Sequence, residues 1–318
     1  MPLRFLAAVL LSGFTLTASA QSAPARHPKR PLITGVSHIA LYTSDPAAAS
    51  HFYREILGAA KEPDPENPRG VRYALNATQF IEVLPLPAGA GIDRLDHIAW
   101  NTTNAEAMRR YLAARGWKTP ARVEKGTDGS RWFTVLDPEG NKVQFVEPPR
   151  HPKPVAAPNE IGNRIIHFGF MVHSRAAEDT FYRGLLDFRP YWAGGRKPGE
   201  VDYVSQQVPN GRDWLEYMLT SEPGPGIPAG MTRRRLGSMD HFSIGEVSVP
   251  EAYKVLEAGD RLTGRHDKAP HIGAGDGKYQ LNLYDPDDTR VELMNYHSTV
   301  KPDPPFTAAD PTPNDKWK

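Results

Sequence analysis

Apolar and polar positions alternate in short runs that recur four times along the chain, and each opening run leads into a stretch with helical spacing. In the first recurrence, 33–43 reads as a strand and 46–58 as a helix whose Phe52, Tyr53, Ile56 and Leu57 share a face. Asp45 is the N-cap before Pro46, Gly58 stops the helix, and 71–75 and 79–84 read as further strands. The second recurrence has a strand at 94–101, a helix at 105–115 ended by Gly116, and a strand at 131–136. The turn Asp137-Pro138-Glu139-Gly140 then leads to a last strand at 142–146. The third opens at Arg164 with I-I-H-F-G-F-M-V, continues through a helix around T-F-Y-R-G-L-L-D, and has later strands at 201–208 and 213–219. After a loop at 224–230, the fourth occupies 237–295, from G-S-M-D-H-F-S-I to Y-Q-L-N-L-Y-D-P-D-D-T-R-V-E-L-M-N.

The recurrence is a duplication. His38 and His167 stand 129 residues apart, as do Phe52-Tyr53 and Phe181-Tyr182; Asp137-Pro138 and Asp285-Pro286 stand 148 apart, as do Gln144 and Glu292. Module one therefore matches three, and two matches four. This predicts an α+β chain of four βαβββ modules in two domains, 33–148 and 164–297, with a proline-rich linker at 149–163 and an extended tail at 298–318.

Side chains alternate across a strand, so parity decides which residues share a face. In the four opening strands His38, His97, His167 and His241 lie opposite the bulky pairs Ile39/Leu41, Ile98/Trp100, Phe168/Phe170 and Phe242/Ile244. The same parity places Val36, Leu95, Ile165 and Met239 on the histidine faces. In the last strands Glu82, Glu216 and Glu292 leave the core face, Gln144 holds the matching place in module two, and Glu147 falls on the other face. An isolated histidine in an apolar strand is ordinarily a hydrogen-bonded core residue, and an isolated glutamate a surface one. Four histidines and three glutamates at matching places point instead to a shared site, because buried carboxylates must be paired or coordinate something.

Composition narrows the chemistry. With no cysteine, thiolate metal sites, disulfides and cysteine nucleophiles are excluded, so a metal must be held by nitrogen and oxygen. A net charge of +1 favours neither nucleic acid nor an anionic surface as partner. Arg4, the apolar run 5–16 and Ala18-Ser19-Ala20 predict a signal peptide at 1–20 and a periplasmic or secreted protein, free of the membrane once the signal is removed.

The motifs H-I-A-L, F-Y-R-E-I-L-G, H-I-A-W, D-P-E-G-N-K-V-Q, H-F-G-F, F-Y-R-G-L-L, H-F-S-I and D-P-D-D-T-R-V-E together resemble the vicinal oxygen chelate superfamily. That superfamily includes glyoxalase I, methylmalonyl-CoA epimerase, bleomycin-type resistance proteins and extradiol ring-cleaving dioxygenases. The resemblance spans about 33–297 and implies that paired modules curl into open barrels around a divalent metal, Fe2+ or Mn2+ before Ni2+ or Zn2+. It implies as ligands His38, Glu82, His97 and Gln144, and His167, Glu216, His241 and Glu292, with modules pairing either within or across the halves. The substrate would be a small oxygen chelator and the protein a monomer or homodimer.

His167, His241 and Glu292 suit a dioxygenase, whose family tyrosine ten residues before the glutamate is replaced by Asn282. His271 is then either a proton donor near the metal or a surface residue. Glu216 or Glu82 as a base suits a glyoxalase-type lyase or an epimerase-type isomerase instead. Non-catalytic binding of a small molecule is the third reading. Tyr203, Trp214 and Tyr217 line either the pocket or the core.

Overall fold

The computed structural model describes residues 28–89, 91–157, 160–195, 197, 200–220, 237–273 and 275–302. The expected leader at 1–20, the loop at 224–230 and the tail from 303 lie outside the described residues. Among the described residues no helix is long and apolar enough to cross a membrane.

Each half of the chain forms one eight-stranded sheet. The first holds β1 (Ile33–Thr43), β2 (Ala60–Pro63), β3 (Val71–Ala74), β4 (Phe80–Pro85), β5 (Leu95–Thr102), β6 (Glu124–Lys125), β7 (Arg131–Leu136) and β8 (Lys142–Glu147). The second holds β9 (Ile165–Val172), β10 (Arg189–Gly194), β11 (Tyr203–Gln207), β12 (Trp214–Leu219), β13 (Met239–Glu246), β14 (His271–Ile272), β15 (Tyr279–Tyr284) and β16 (Arg290–Asn295). The orders are β2-β3-β4-β1-β5-β8-β7-β6 and β10-β11-β12-β9-β13-β16-β15-β14, the same path traced twice. Opening strands meet antiparallel, β1 with β5 and β9 with β13, so the modules pair within each half and not across. The result is two open half-barrels of α+β type.

The outermost strands were not legible in the pattern, for local reasons. β6 and β14 have only two residues each, β2 is Ala-Lys-Glu-Pro without apolar alternation, and β10 carries Pro190, which is tolerated at a sheet edge.

The helices cover one face of each sheet. Modules one and three start theirs as α-helix (Pro46–His51, Arg175–Asp179) and finish as π-helix (Phe52–Ile56, Thr180–Leu185), and Gly58 ends the first at φ 74°. Here the Phe-Tyr pairs reach the opposite half. Tyr53 Oη donates to Asp285 Oδ2 at 2.7 Å, and Tyr182 Oη to Asp137 Oδ2 at 3.5 Å. The acidic residue two positions on in each Asp-Pro turn completes the exchange. Asp287 accepts from Thr43 Oγ1 at 2.7 Å and Ser44 Oγ at 2.6 Å, while Glu139 accepts the backbone N–H of His173 at 2.8 Å. Each turn thus places a carboxylate just before the helix of the other half, where the dipole favours negative charge. Between them runs one apolar core, with Trp100 edge-on to Phe168 at 5.3 Å and Phe188 at 5.1 Å. Apolar residues are thereby drawn to the helix side of both sheets, which leaves the histidine faces free for polar chemistry.

Candidate metal centres

Each opening strand carries a β-bulge immediately before its histidine. Val36 pairs with Trp100 but His38 with Ala99, leaving Ser37 extra. By the same reading the extra residues are Asp96 in β5, Ile166 in β9 and Asp240 in β13. A bulge inserts one residue and resets the alternation behind it. Val36, Leu95, Ile165 and Met239 therefore join the apolar core, against the strict-parity expectation that put them beside the histidines. The residue before each histidine becomes its neighbour. Asp96 Oδ2 lies 2.6 Å from His97 Nδ1, Asp240 Oδ1 lies 2.7 Å from His241 Nδ1, and Ser37 Oγ lies 3.2 Å from His38 Nδ1. Module three has Ile166 at this place, and His167 Nδ1 is without a partner.

The last strands carry no such bulge, and the glutamates fall where parity puts them. β4 and β8 run parallel to β1 and β5, and β12 and β16 to β9 and β13, so all four acidic or amide positions share the concave face with the histidines. In the first half His38 Nε2 and His97 Nε2 face each other at 2.8 Å, with Glu82 Oε2 3.7 and 3.6 Å away. In the second half His167 Nε2 and His241 Nε2 are again 2.8 Å apart; Glu292 Oε2 lies 3.4 Å from the former and Glu216 Oε2 3.3 Å from the latter. The structure thus gathers His38, Glu82 and His97 in one group and His167, His241 and Glu292 in the other, all buried. Gln144 and Glu216 sit on the same faces as fourth members. Gln144 Nε2 is taken by Glu66 Oε2 at 2.7 Å, and Glu216 Oε1 accepts from Ser205 Oγ at 3.3 Å.

These donors fit a divalent cation. Carboxylates that hold the Nδ1 protons of His97 and His241 turn their Nε2 lone pairs toward a second imidazole, an arrangement that repels until a proton or cation lies between. Glu82 Oε2 and Glu292 Oε2 are buried and accept nothing, the costly state that coordination relieves. Electrostatics agree. Burial, the partner imidazole and a nearby cation (Arg72 for His38, Lys278 for His167) hold these two histidines well below their ordinary pKa, in the neutral ligating form. Burial raises Glu82, with Asp64 adding to it, and raises Glu292 to about 7 against the pull of His241 and Arg290. For His241, burial and Arg290 favour the neutral ring, but hydrogen bonds to Asp240 and Glu216 win and lift it to about 9. A metal entering this group would displace that proton. Arg290 Nη2 reaches both His241 Nδ1 and Asp240 Oδ1 at 2.8 Å; with the proton on Nδ1, its partner is Asp240.

Several of these residues were not singled out from the sequence. Asp96 and Asp240 were discoverable as the repeated Asp-His dipeptide, yet strict alternation sends them to the opposite face. Phe80 stacks on His38 at 4.3 Å with Arg72 5.1 Å from its ring, and Trp214 stacks on His167 at 4.6 Å with Lys278 4.6 Å from its ring. Trp214 therefore supports a candidate ligand, His167, whereas Tyr217 lies in the helix-side core and Tyr203 packs half-buried against Met171 and Met218. His271 stands on the exposed edge strand β14, 3.6 Å from Asp267, which takes two 2.8 Å hydrogen bonds from Asn282. Asn282 pairs across the strands with Glu292, so His271 reaches the centre only through these residues.

Gly169 is fixed by the site itself. A Cβ there would lie 2.0 Å from His241 Cε1, while the matching position opposite His97 is Ala40. Gly169→Ala is expected to turn the imidazole aside and weaken metal binding in the second half by about ten- to a hundredfold, measured by titration against a chelator. An unchanged affinity would mean that the ring does not ligate.

Residues 35–145 match the family model described as the glyoxalase/bleomycin resistance protein/dioxygenase superfamily. Among curated proteins no relative matches. Solved structures do. The 2,3-dioxygenase LapB from Pseudomonas sp. KL28 superposes with a TM-score of 0.61 at 13% identity, covering 84% of this chain and 93% of that one. Homoprotocatechuate 2,3-dioxygenase from Brevibacterium fuscum, in complex with 3,4-dihydroxyphenylacetate, gives 0.62 at 17%, covering 91% and 86%. The enzyme of the same name from Arthrobacter globiformis gives 0.62 at 17%, covering 84% and 80%. At such identities the likeness concerns the fold, and it runs through both halves. The first half thus matches a domain of the glyoxalase/bleomycin resistance/dioxygenase superfamily, and the second half repeats its eight-stranded path.

Proposed function

We propose that this chain is an exported, metal-dependent enzyme acting on a small molecule with two adjacent oxygen donors, and that its second half performs extradiol-type ring cleavage. The observation that carries this reading is the buried group of His167, His241 and Glu292, two imidazoles and one carboxylate converging from β9, β13 and β16. Such a set leaves positions open on iron(II) or manganese(II). The bound ion would supply Lewis acidity and redox chemistry toward a catechol and dioxygen. The chain's own residues do the rest. Asp240, steadied by Arg290, holds the Nδ1 proton of His241 and fixes the ring; Trp214 orients His167 by stacking. Glu216 Oε2, 3.3 Å from His241 Nε2, is placed to ligate or to accept a proton from a bound hydroxyl.

Glu82 favours a second reading for the first half. It stands nearly equidistant from two imidazoles, placed as a carboxylate that would ligate or move a proton next to a carbonyl in lyase or isomerase chemistry.

Elemental analysis of protein purified without chelators tests both readings. Iron or manganese near about one equivalent per centre, together with oxygen-dependent cleavage of catechols, is the expected result. Nickel or zinc would move the assignment to proton transfer. A protein that takes no metal even on reconstitution would sink both readings and leave a binding protein.

A further inference from the structure

The two centres differ in what surrounds them. In the first half, Gln144 has its amide nitrogen tied to Glu66 Oε2 at 2.7 Å, so its carbonyl Oε1 is the free end, buried and without a partner. Glu82 Oε2 is in the same state. Both atoms belong to residues that, with His97, line one cavity of about 980 Å³, the upper range for a site that encloses a small organic ligand. Two indole rings, Trp117 and Trp132, line its walls, and so do Arg69 and Lys118. Arg69 and Lys118 are exposed and, among the described residues, neither side chain has an acidic partner, whereas Lys142 is held by Asp96 at 2.7 Å. Glu66 behind Gln144 and Asp96 beside His97 also border the cavity, so the pull on an anionic ligand comes from Arg69 and Lys118 and not from the floor.

We propose that this cavity in the first half is a binding site for a flat aromatic anion, whose ring lies against Trp132 and Trp117, whose carboxylate meets Arg69 and Lys118, and whose other oxygens point to the floor of Glu82, Gln144 and His97. The inference rests on the metal-binding reading of that floor but not on the reaction assigned to the second half.

The test measures binding to the full-length, manganese-loaded protein by calorimetry and tryptophan quenching, with 3,4-dihydroxybenzoate and catechol as probes. The carboxylated probe is expected to bind about tenfold tighter or more, as a charge-assisted contact would give. The exposed double variant Arg69→Ala/Lys118→Ala should lose that margin and keep catechol affinity. Equal affinity for the two probes, or a margin untouched by the double variant, overturns the proposal. Metal content of the same samples separates the two layers of the argument. A margin that depends on Arg69 and Lys118 in a protein without metal would uphold the anion site and refute the metal floor. Full metal content with no margin would refute the anion site alone.

Discussion

An alanine at position 241 is expected to abolish turnover and empty the second centre of metal, while the first centre keeps its own. His241 supplies the Nε2 that faces His167 at 2.8 Å and Glu216 at 3.3 Å, and its other nitrogen anchors Asp240 and Arg290. Its removal leaves one imidazole, His167, and two carboxylates, of which Glu216 has lost its neighbouring nitrogen. The loss should exceed the roughly ten- to hundredfold caused by changing a group that only orients a ligand, so Asp240→Asn serves as the milder comparison. Stability falls as well. The variant loses the imidazolium that Asp240 and Glu216 stabilise, leaves Glu216 without that partner, and opens a cavity beside Gly169. Metal per chain, read by elemental analysis against circular dichroism as a check on folding, should fall by the content of one centre. Retained metal with lost activity would make His241 a catalytic base instead of a ligand. Retention of both would remove the second half from the chemistry altogether.

Much of this arrangement was legible in the chain, and the illegible part has a definite cause. Four repeats with fixed offsets give the modules, and the alternation in the last strands puts Glu82, Gln144, Glu216 and Glu292 on one face, because those strands pair without interruption. The opening strands defeat the same rule. A period of two cannot show where a bulge enters, so Val36 and Met239 read as neighbours of the histidines, and Asp96 and Asp240 as strangers to them. Which modules share a barrel was equally hidden. Either pairing buries the same apolar faces, and the difference lies in register contacts such as Ala40 with His97 and Gly169 with His241. The linkage between halves was hidden for a similar reason. Asp137 and Asp285 read as turn residues, and nothing local says that their carboxylates reach Tyr182 and Tyr53.

Glutamates at positions 292 and 147 lie in the matching strands β16 and β8 and should part company when each is replaced by alanine. Glu292 lies within β16 on the concave face, 3.4 Å from His167, with an oxygen that accepts no hydrogen bond. Glu147 is the last residue of β8, where it accepts the backbone N–H of Ala105 at 3.0 Å and lies 3.5 Å from Arg131. The first belongs to the candidate metal centre and the second accepts a backbone N–H at the start of the helix Ala105–Ala113. Glu292→Ala should therefore abolish tight binding in the second centre, since no other carboxylate meets His167 there, and Glu216 lies nearer His241. It should not cost folding of the apo form, because it removes a carboxylate whose burial is unfavourable and lifts its pKa to about 7. Glu147→Ala should leave metal content unchanged and lower stability by about 1 kcal/mol, the ordinary cost of a lost cap. Parallel metal titration and chemical denaturation of the two variants measure both quantities. If Glu147→Ala strips the metal and Glu292→Ala does not, the face assignment of the last strands is wrong. If both lose it, the centre depends on the integrity of the sheets and not on a particular carboxylate.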